Sequence, residues 1–374
     1  MISFNSVLRI AAKSAIRRIL TASNEASKIK THRTPTIVRR ILGVIQSLMT
    51  NGVGRTLLKI NDKYQLTTFN KARKYIKCCK MLRHPIDSQR RRQIARKLTH
   101  HSSHALLVSE KTGYRILKPG TIPGSDQIVS KCRKLYDASL SELQKKMGQE
   151  VFAYLLLANQ SGMHDVTLSS GDVYDLTLIP SLTEFVLSPT LVEAASCYLG
   201  EVPILAGVTV YVSFPNVTKV GSQLYHLDKG DFRQVKFIFA ITDAHEENGP
   251  FTFIPADQVS AVEKTIGAGL YTRVPDEQVY AVISKDEVVK FLGPMGSCLI
   301  IDTGRCLHYG SRGNTQFRCL LEIQYMSRFN CIEPSFYFAR VKTEKVSKKF
   351  TPLQKMILRS VNNMQSHNAF ESSI

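Results

Sequence analysis

Apolar positions recur in two different rhythms along this chain, and the change of rhythm divides it. In Val7 to Leu20, Leu8, Ala12, Ala15 and Ile19 share one helical face while Arg9, Lys13 and Arg17 fall on another, which predicts a basic amphipathic helix. Thr34-Pro35 reads as an N-cap followed by proline in the first helical turn. It leads into Ile37, Val38, Ile41, Leu42, Ile45, Leu48 and Met49 before a stop at Asn51-Gly52. Residues 70–83 and 88–98 predict two further helices, broken around His84-Pro85 and restarted by Asp87-Ser88. After the turn-rich stretch from Lys118 to Asp126, helices are expected from Asp137 to Ala158 and between Ser188-Pro189 and Gly200.

Beyond that point the period shortens to two. Val208, Val210, Val212 and Phe214 alternate with Thr209, Tyr211 and Ser213, and short β-like runs follow at Ser222 to Asp228, Val235 to Ile241, Phe251 to Ile254, Cys298 to Asp302 and Arg318 to Tyr325. Strands at this spacing without a helix between each pair predict an antiparallel sandwich or barrel and not a doubly wound sheet. The expected class is mostly β with flanking helices (α+β). The expected organisation is a basic, largely helical region at 1–104, a β-rich domain at 105–345 and a C-terminal tail or helix at 346–374.

Charge sharpens the division. Residues 1–100 hold 23 Lys and Arg against three acids (Glu25, Asp62 and Asp87), whereas residues 101–374 hold 27 of each sign, so the formal net charge of +20 lies entirely in the first quarter. Such a region is read either as helices packed on the larger domain with solvated basic faces, or as a contact for an anionic membrane surface, a nucleic acid or a polyanionic substrate. Sparse aromatics there (Phe4, Tyr64, Phe69, Tyr75) make nucleic acid a weaker partner than a membrane. An Arg- and Ser-rich start without an acid before Glu25 also has the composition of an organellar transit peptide. The longest apolar run, Val151 to Ala158, is far short of the roughly 18 residues a membrane-spanning helix needs, so no transmembrane segment is expected. Eight scattered cysteines without a C-x-x-C pair read as reduced thiols and suit a cytoplasmic protein, peripheral to a membrane if the basic region binds one.

Chemistry concentrates in Tyr225-His226-Leu227-Asp228. On a strand, residues two apart share a face, roughly 6.6 Å apart along the chain, so His226 and Asp228 can reach one metal. His308, after the apolar run Ser297 to Asp302, is the candidate third ligand. Two imidazoles and one carboxylate suit Fe(II) and leave positions open for substrate and oxygen. Alone, H-x-D is a weak motif that arises often by chance. Arg318, ten residues after His308 and opening a strand-like run, could pair bidentately with a dicarboxylate co-substrate such as 2-oxoglutarate, although an isolated arginine is more often a surface ion pair. Arg312, in a Gly-Ser-Arg-Gly-Asn loop, is the alternative anchor. His245 reads as a solvated loop residue, Cys306 as a packing thiol, and His100, His101 and His104 as a polar cluster without a role.

Several runs together resemble the phytanoyl-CoA dioxygenase-like branch of the Fe(II)/2-oxoglutarate oxygenases: Gln223 to Asp228, Phe237 to Asp243, Glu247 to Phe251, Phe253 to Pro255, Gly296 to Thr303, and His308 through Arg318. The lead-in from Leu178 through Pro215 is also similar, and the resemblance spans roughly residues 105–345. It implies a double-stranded β-helix, a cupin-like jelly roll, with His226, Asp228 and His308 as iron ligands and Arg318 as the 2-oxoglutarate anchor. It also implies Fe(II) as cofactor, 2-oxoglutarate and O2 as co-substrates, and hydroxylation of an unactivated C–H with release of succinate and CO2. Relatives that halogenate have Gly or Ala where Asp228 stands, so the carboxylate favours a hydroxylase. The chain departs from the family pattern in having Pro255-Ala-Asp-Gln258 where a Pro-Gly-Ser-His loop is usual, and in having no tryptophan, differences that bear on the substrate. A small molecule, lipid or sugar-type substrate fits the resemblance. The competing reading is a non-catalytic cupin-like module tethered by its basic arm.

Overall fold

The computed structural model describes residues 74, 77–82, 84–99, 106–138, 140–141, 165–167, 179, 181–266, 273–330 and 350–358, all within the unit Gly52–Ile374. The helices expected at 7–20 and 35–49, most of the one expected at 137–158, and His100, His101 and His104 lie outside the described residues.

Helix α1 (Pro85–Thr99) begins three residues before the Asp87-Ser88 start, because proline is tolerated in a first turn where its missing N–H has no helical partner. Asp87 in its first turn and Arg96 and Lys97 in its last complement the helix dipole. Although Arg-rich, it is not simply a solvated rod. Arg91 is fully buried, donating to the carbonyls of Val202 (2.9 Å), Pro203 (3.3 Å) and Met356 (2.9 Å), and so ties α1 to the β-rich part. Part of the basic region is therefore packing, the first of the two readings its charge allowed.

Residues 125–138 form helix α2, which starts twelve residues before the expected Asp137. Gly124, with φ +80°, ends the preceding turn, and Ile128, Cys132 and Tyr136, spaced four apart, enter the core. Helix α3 (Pro189–Leu199) follows the expectation, with Ser188 at its N-cap position and Gly200 as a left-handed C-cap at φ 70°.

Among the described residues there are nine strands, numbered in chain order: β1 (Tyr114–Leu117), β2 (Asp165–Thr167), β3 (Ile204–Ser213), β4 (Gln234–Ala240), β5 (Thr252–Ile254), β6 (Val289–Lys290), β7 (Cys298–Ile301), β8 (Leu307–Tyr309) and β9 (Arg318–Met326). They form two antiparallel sheets, β1-β7-β4-β9-β3-β2 and β6-β5-β8. One face of the larger sheet packs Val208, Val210, Phe237, Phe239, Leu321 and Ile323 into a core with α2 and α3. Its other face sends Ile238, Ala240, Leu299, Ile301 and Leu320 to meet Phe251, Phe253 and Phe291 on the side of the smaller sheet. Both faces of the larger sheet are thus covered, which is why β3, β4 and β9 are buried almost throughout instead of alternating with water. Residues 352–358, in the expected tail, are helical and bury Met356, Ile357 and Leu358 in the helix-side core.

The run Ser222 to Asp228 is not a strand. Residues Gly221–Gln223 make a 3-10 turn, and Tyr225 and His226 form only isolated bridges, to Val274 and His308. The physical cause is Gln223, whose buried amide donates to Asn216 (2.8 Å) and the Ser311 carbonyl (3.1 Å) and accepts from Thr218 and Val220, coiling the chain where a ladder would otherwise run.

Candidate metal centre

His226 and His308 face each other across a two-way backbone bridge, each N–H donating to the other's carbonyl at 2.9 and 3.0 Å. His308 lies in β8, whose other edge pairs with Phe253 of β5, so the smaller sheet fixes one histidine and the bridge fixes the other. Asp228 is set by Thr303, which accepts the Asp228 N–H at its carbonyl (2.9 Å) and donates its hydroxyl to Asp228 Oδ2 (2.6 Å). Thr303 sits in the turn after β7. Its neighbour Gly304 is a site of close approach, since a Cβ there would lie 2.6 Å from the Asp231 carbonyl.

The three side chains converge. One ligand atom from each of His226, Asp228 and His308 lies within 4.8 Å of the others, and Asp228 Oδ1 is 3.9 Å from His226 Nε2 and 3.8 Å from His308 Nε2. Hydrogen bonding assigns their roles. His226 Nδ1 is 2.8 Å from the Leu224 carbonyl and His308 Nδ1 is 3.0 Å from the Cys306 carbonyl, so each Nδ1 carries the proton and donates it. Each Nε2 lone pair is thereby turned toward Asp228 Oδ1. Asp228 Oδ2 is occupied on the opposite side by Thr303, by Gln234 Nε2 (3.2 Å) and by Lys236 Nζ (3.0 Å). Two imidazole nitrogens and one carboxylate oxygen thus point to a common place, a donor set that suits Fe(II). Phe251 stacks on the His308 ring at 5.2 Å and holds its plane.

Electrostatics keep these groups in ligating form. Burial, then the neighbouring His308, brings His226 down to about 3, and burial lowers His308 as well, so both imidazoles are neutral near pH 7. Burial alone would push the Asp228 carboxyl up, but Lys236 and the two histidines outweigh it and hold the carboxyl well below the usual range. Lys236 is opposed by burial in the same way, and Asp228 with Glu322 (3.0 Å) outweighs that and keeps its amine charged.

Arg318 opens β9 and is buried, donating to the Gly249 carbonyl and, at 3.1 Å, to Ser213 Oγ. Gly249 leads directly into the segment carrying Phe251, which links the guanidinium to the wall of the histidine pair. Arg312 is engaged elsewhere: its Nη1 is 2.8 Å from Asp276 Oδ1 and 2.9 Å from the Gln223 carbonyl, and its guanidinium lies 3.4 Å over the Tyr309 ring. His245 pairs with Glu247 at 2.7 Å in an exposed loop, apart from the triad. Cys306 is fully buried, which pushes its thiol up and suits a packing group.

Gln234, Lys236, Glu322 and Thr303 were not singled out from the sequence. A signal existed for two of them: one lysine inside Val235-Lys236-Phe237-Ile238-Phe239 and one glutamate inside Leu320-Leu321-Glu322-Ile323 are charges in the middle of buried strands, which survive only when paired. Asp302, beneath Thr303, is also buried. It accepts from Tyr198 Oη (2.7 Å) and the Gly304 N–H (3.0 Å), and burial pushes its carboxyl up to about 6.

Residues 171–318 match the family model described as phytanoyl-CoA dioxygenase (PhyH). No curated protein matches the chain. Among solved structures, one described as the non-heme alpha ketoglutarate dependent carbocyclase SnoK from nogalamycin biosynthesis is similar at 17% identity and a TM-score of 0.39, covering 68% of this chain and 93% of its own. AviO1 from Streptomyces viridochromogenes Tue57 is similar at 14% identity and 0.36, covering 60% and 94%. A third, the non-heme alpha ketoglutarate dependent epimerase SnoN from nogalamycin biosynthesis, is similar at 16% identity and 0.32, covering 63% and 81%. Through residues 171–318 the chain is thus similar to the phytanoyl-CoA dioxygenase family.

Proposed function

We propose that the chain is a hydroxylase in which His226, Asp228 and His308 hold one Fe(II) and Arg318 binds the distal carboxylate of 2-oxoglutarate. The observation that carries this is the convergence of two Nε2 lone pairs on Asp228 Oδ1, with both Nδ1 protons committed to backbone carbonyls. In this reading the two facing antiparallel sheets are a double-stranded β-helix over residues 105–345, with the site at the bridge between β8 and His226. Iron, 2-oxoglutarate and O2 would together supply oxidation of an unactivated C–H, releasing succinate and CO2.

The chain's own groups do the positioning. Thr303, Gln234 and Lys236 hold Asp228 Oδ2, and Oδ1, 3.9 and 3.8 Å from the two Nε2 atoms, is the ligand oxygen. Arg318 suits a carboxylate because its guanidinium is buried at the start of β9 beside the Gly249 carbonyl and Ser213 Oγ, and Arg312 is engaged with Asp276. Asp228 occupies the position that halogenating relatives leave to Gly or Ala, which favours a hydroxylated product. Product mass from an assay in chloride buffer tests this: addition of one oxygen is expected, and a chlorinated product overturns it.

Residues 1–100, with 23 cations against three acids, are proposed to touch anionic lipid as part of a cytoplasmic enzyme. Among the described residues no helix is long and apolar enough to cross a membrane. The alternative of a non-catalytic module has no observation in its favour.

A further inference from the structure

The three central strands of the larger sheet are buried along nearly their whole length, and the exceptions form one patch. In β3, β4 and β9 the residues that keep partial exposure are Gly207, Tyr211, Lys236 and Glu322. Register places them together. Gly207 and Lys236 both pair with Gln324, Glu322 pairs with Thr209 and Ile238, and Tyr211 pairs with Leu320, one step along from Glu322. All four have the parity of Ile238, Ala240 and Leu320, which face the smaller sheet, and not that of Phe237 and Ile323, which face the helices. Since β9 is flanked by β4 and β3, the exposed part of Glu322 lies on that face of the larger sheet and not at an edge. That face adjoins the metal centre, because two 3.0 Å contacts in series join Asp228 Oδ2 to Glu322 through Lys236 Nζ.

We propose that this patch recognises the substrate, and that the substrate presents hydroxyl or ammonium donors to Glu322 beside the metal and not an acyl chain. The inference rests on the hydroxylase reading and narrows it. A methylene chain laid along Lys236 and Glu322 would strip water from two charges and return no hydrogen bond, whereas a polyol or amine replaces that water with donors and acceptors. Tyr211, on the same face beside Glu322, adds a hydroxyl that both gives and accepts hydrogen bonds.

The test is succinate release by the full chain with Fe(II), 2-oxoglutarate and O2, stimulated by two sets of probes: hexoses, hexosamines and α-amino acids in one, medium- and long-chain acyl-CoA thioesters in the other. Fe(II)-dependent succinate release without any probe, read in the same plate, reports the parent reading separately. Stimulation by a member of the polar set is expected. The isosteric Glu322→Gln should raise the KM of that compound about ten- to hundredfold, as for loss of a hydrogen bond to a charged group, and should raise it more than the KM for 2-oxoglutarate. Tyr211→Phe should act in the same direction with a smaller change. Stimulation by the acyl set alone, stimulation by neither set, or an unchanged substrate KM in Glu322→Gln would each overturn the proposal.

Discussion

Lys236 gives the sharpest test of how the site is held together. In metal-free protein its ammonium neutralises Asp228 at 3.0 Å and Glu322 at 3.0 Å, while the adjacent histidines are neutral. Replacing it with methionine takes the ammonium from both carboxylates, so Lys236→Met is combined with Glu322→Gln to confine the loss to Asp228. Removing one partner of a buried pair costs about 3–5 kcal/mol. The Thr303 hydroxyl and the Gln234 amide still donate to Asp228, which places the loss toward the lower end. At about 2–4 °C per kcal/mol for a unit of this size, the metal-free Tm should fall by on the order of 10 °C. A divalent ion between the histidines restores a positive charge beside Asp228 Oδ1 and no longer meets repulsion from Lys236. Thermal unfolding with and without saturating Mn(II) should therefore show a larger metal-induced gain in the double variant than in the unaltered protein, and isothermal titration should show tighter Mn(II) binding. An equal Mn(II) gain in both proteins would refute the reasoning, because it would mean that Asp228 feels neither the lysine nor the metal.

Arg318→Ala should weaken 2-oxoglutarate binding by about 2–5 kcal/mol, tens to thousands of fold in Kd, with Arg318→Lys partly tolerated and Arg312→Ala much milder; titration of the Mn(II)-loaded protein ranks the three. Burial holds the Asp302 carboxyl near 6, above its unfolded value near 3.8, so its contribution to stability is full at pH values below about 4 and is lost as pH rises through 6. Asp302→Asn should accordingly flatten the fall in Tm between about pH 4 and 6, and an unchanged slope would assign the titration to another group. The full chain should co-sediment with anionic vesicles in low salt and be released in high salt, whereas a strong shift of RNA or DNA without lipid binding would move the partner of residues 1–100 to nucleic acid.

Strands β3, β4, β7 and β9 of the larger sheet were legible because β-branched and aromatic residues cluster between turns, whereas the short edge strands β1 and β2 were not, and α3 was legible because Ser188-Pro189 and Gly200 punctuate it. The start of α2 was missed because its apolar stripe, Ile128, Cys132 and Tyr136, is diluted by Lys131, Arg133 and Lys134, and only the core shows which side counts. Of the site, the three proposed ligands could be named from residue type and spacing, but the reason offered for two of them was local and incorrect. His226 and Asp228 do not share a strand face; they are brought to one place by a bridge to His308 and by Thr303, contacts that span 82 and 75 positions of sequence. Long-range hydrogen bonds of this kind leave no period. Lys236 and Glu322 leave a fainter mark, a lone charge in an apolar run, which identifies a buried ion but not its partner.

Whether His226, Asp228 and His308 form one Fe(II) site is decided by anaerobic Fe(II) titration of the unaltered chain and Asp228→Ala, each followed by succinate release once O2 is admitted. One Fe(II) per chain and 2-oxoglutarate turnover are expected for the unaltered protein, with both lost in the variant. Full metal content and full turnover in Asp228→Ala would contradict that site.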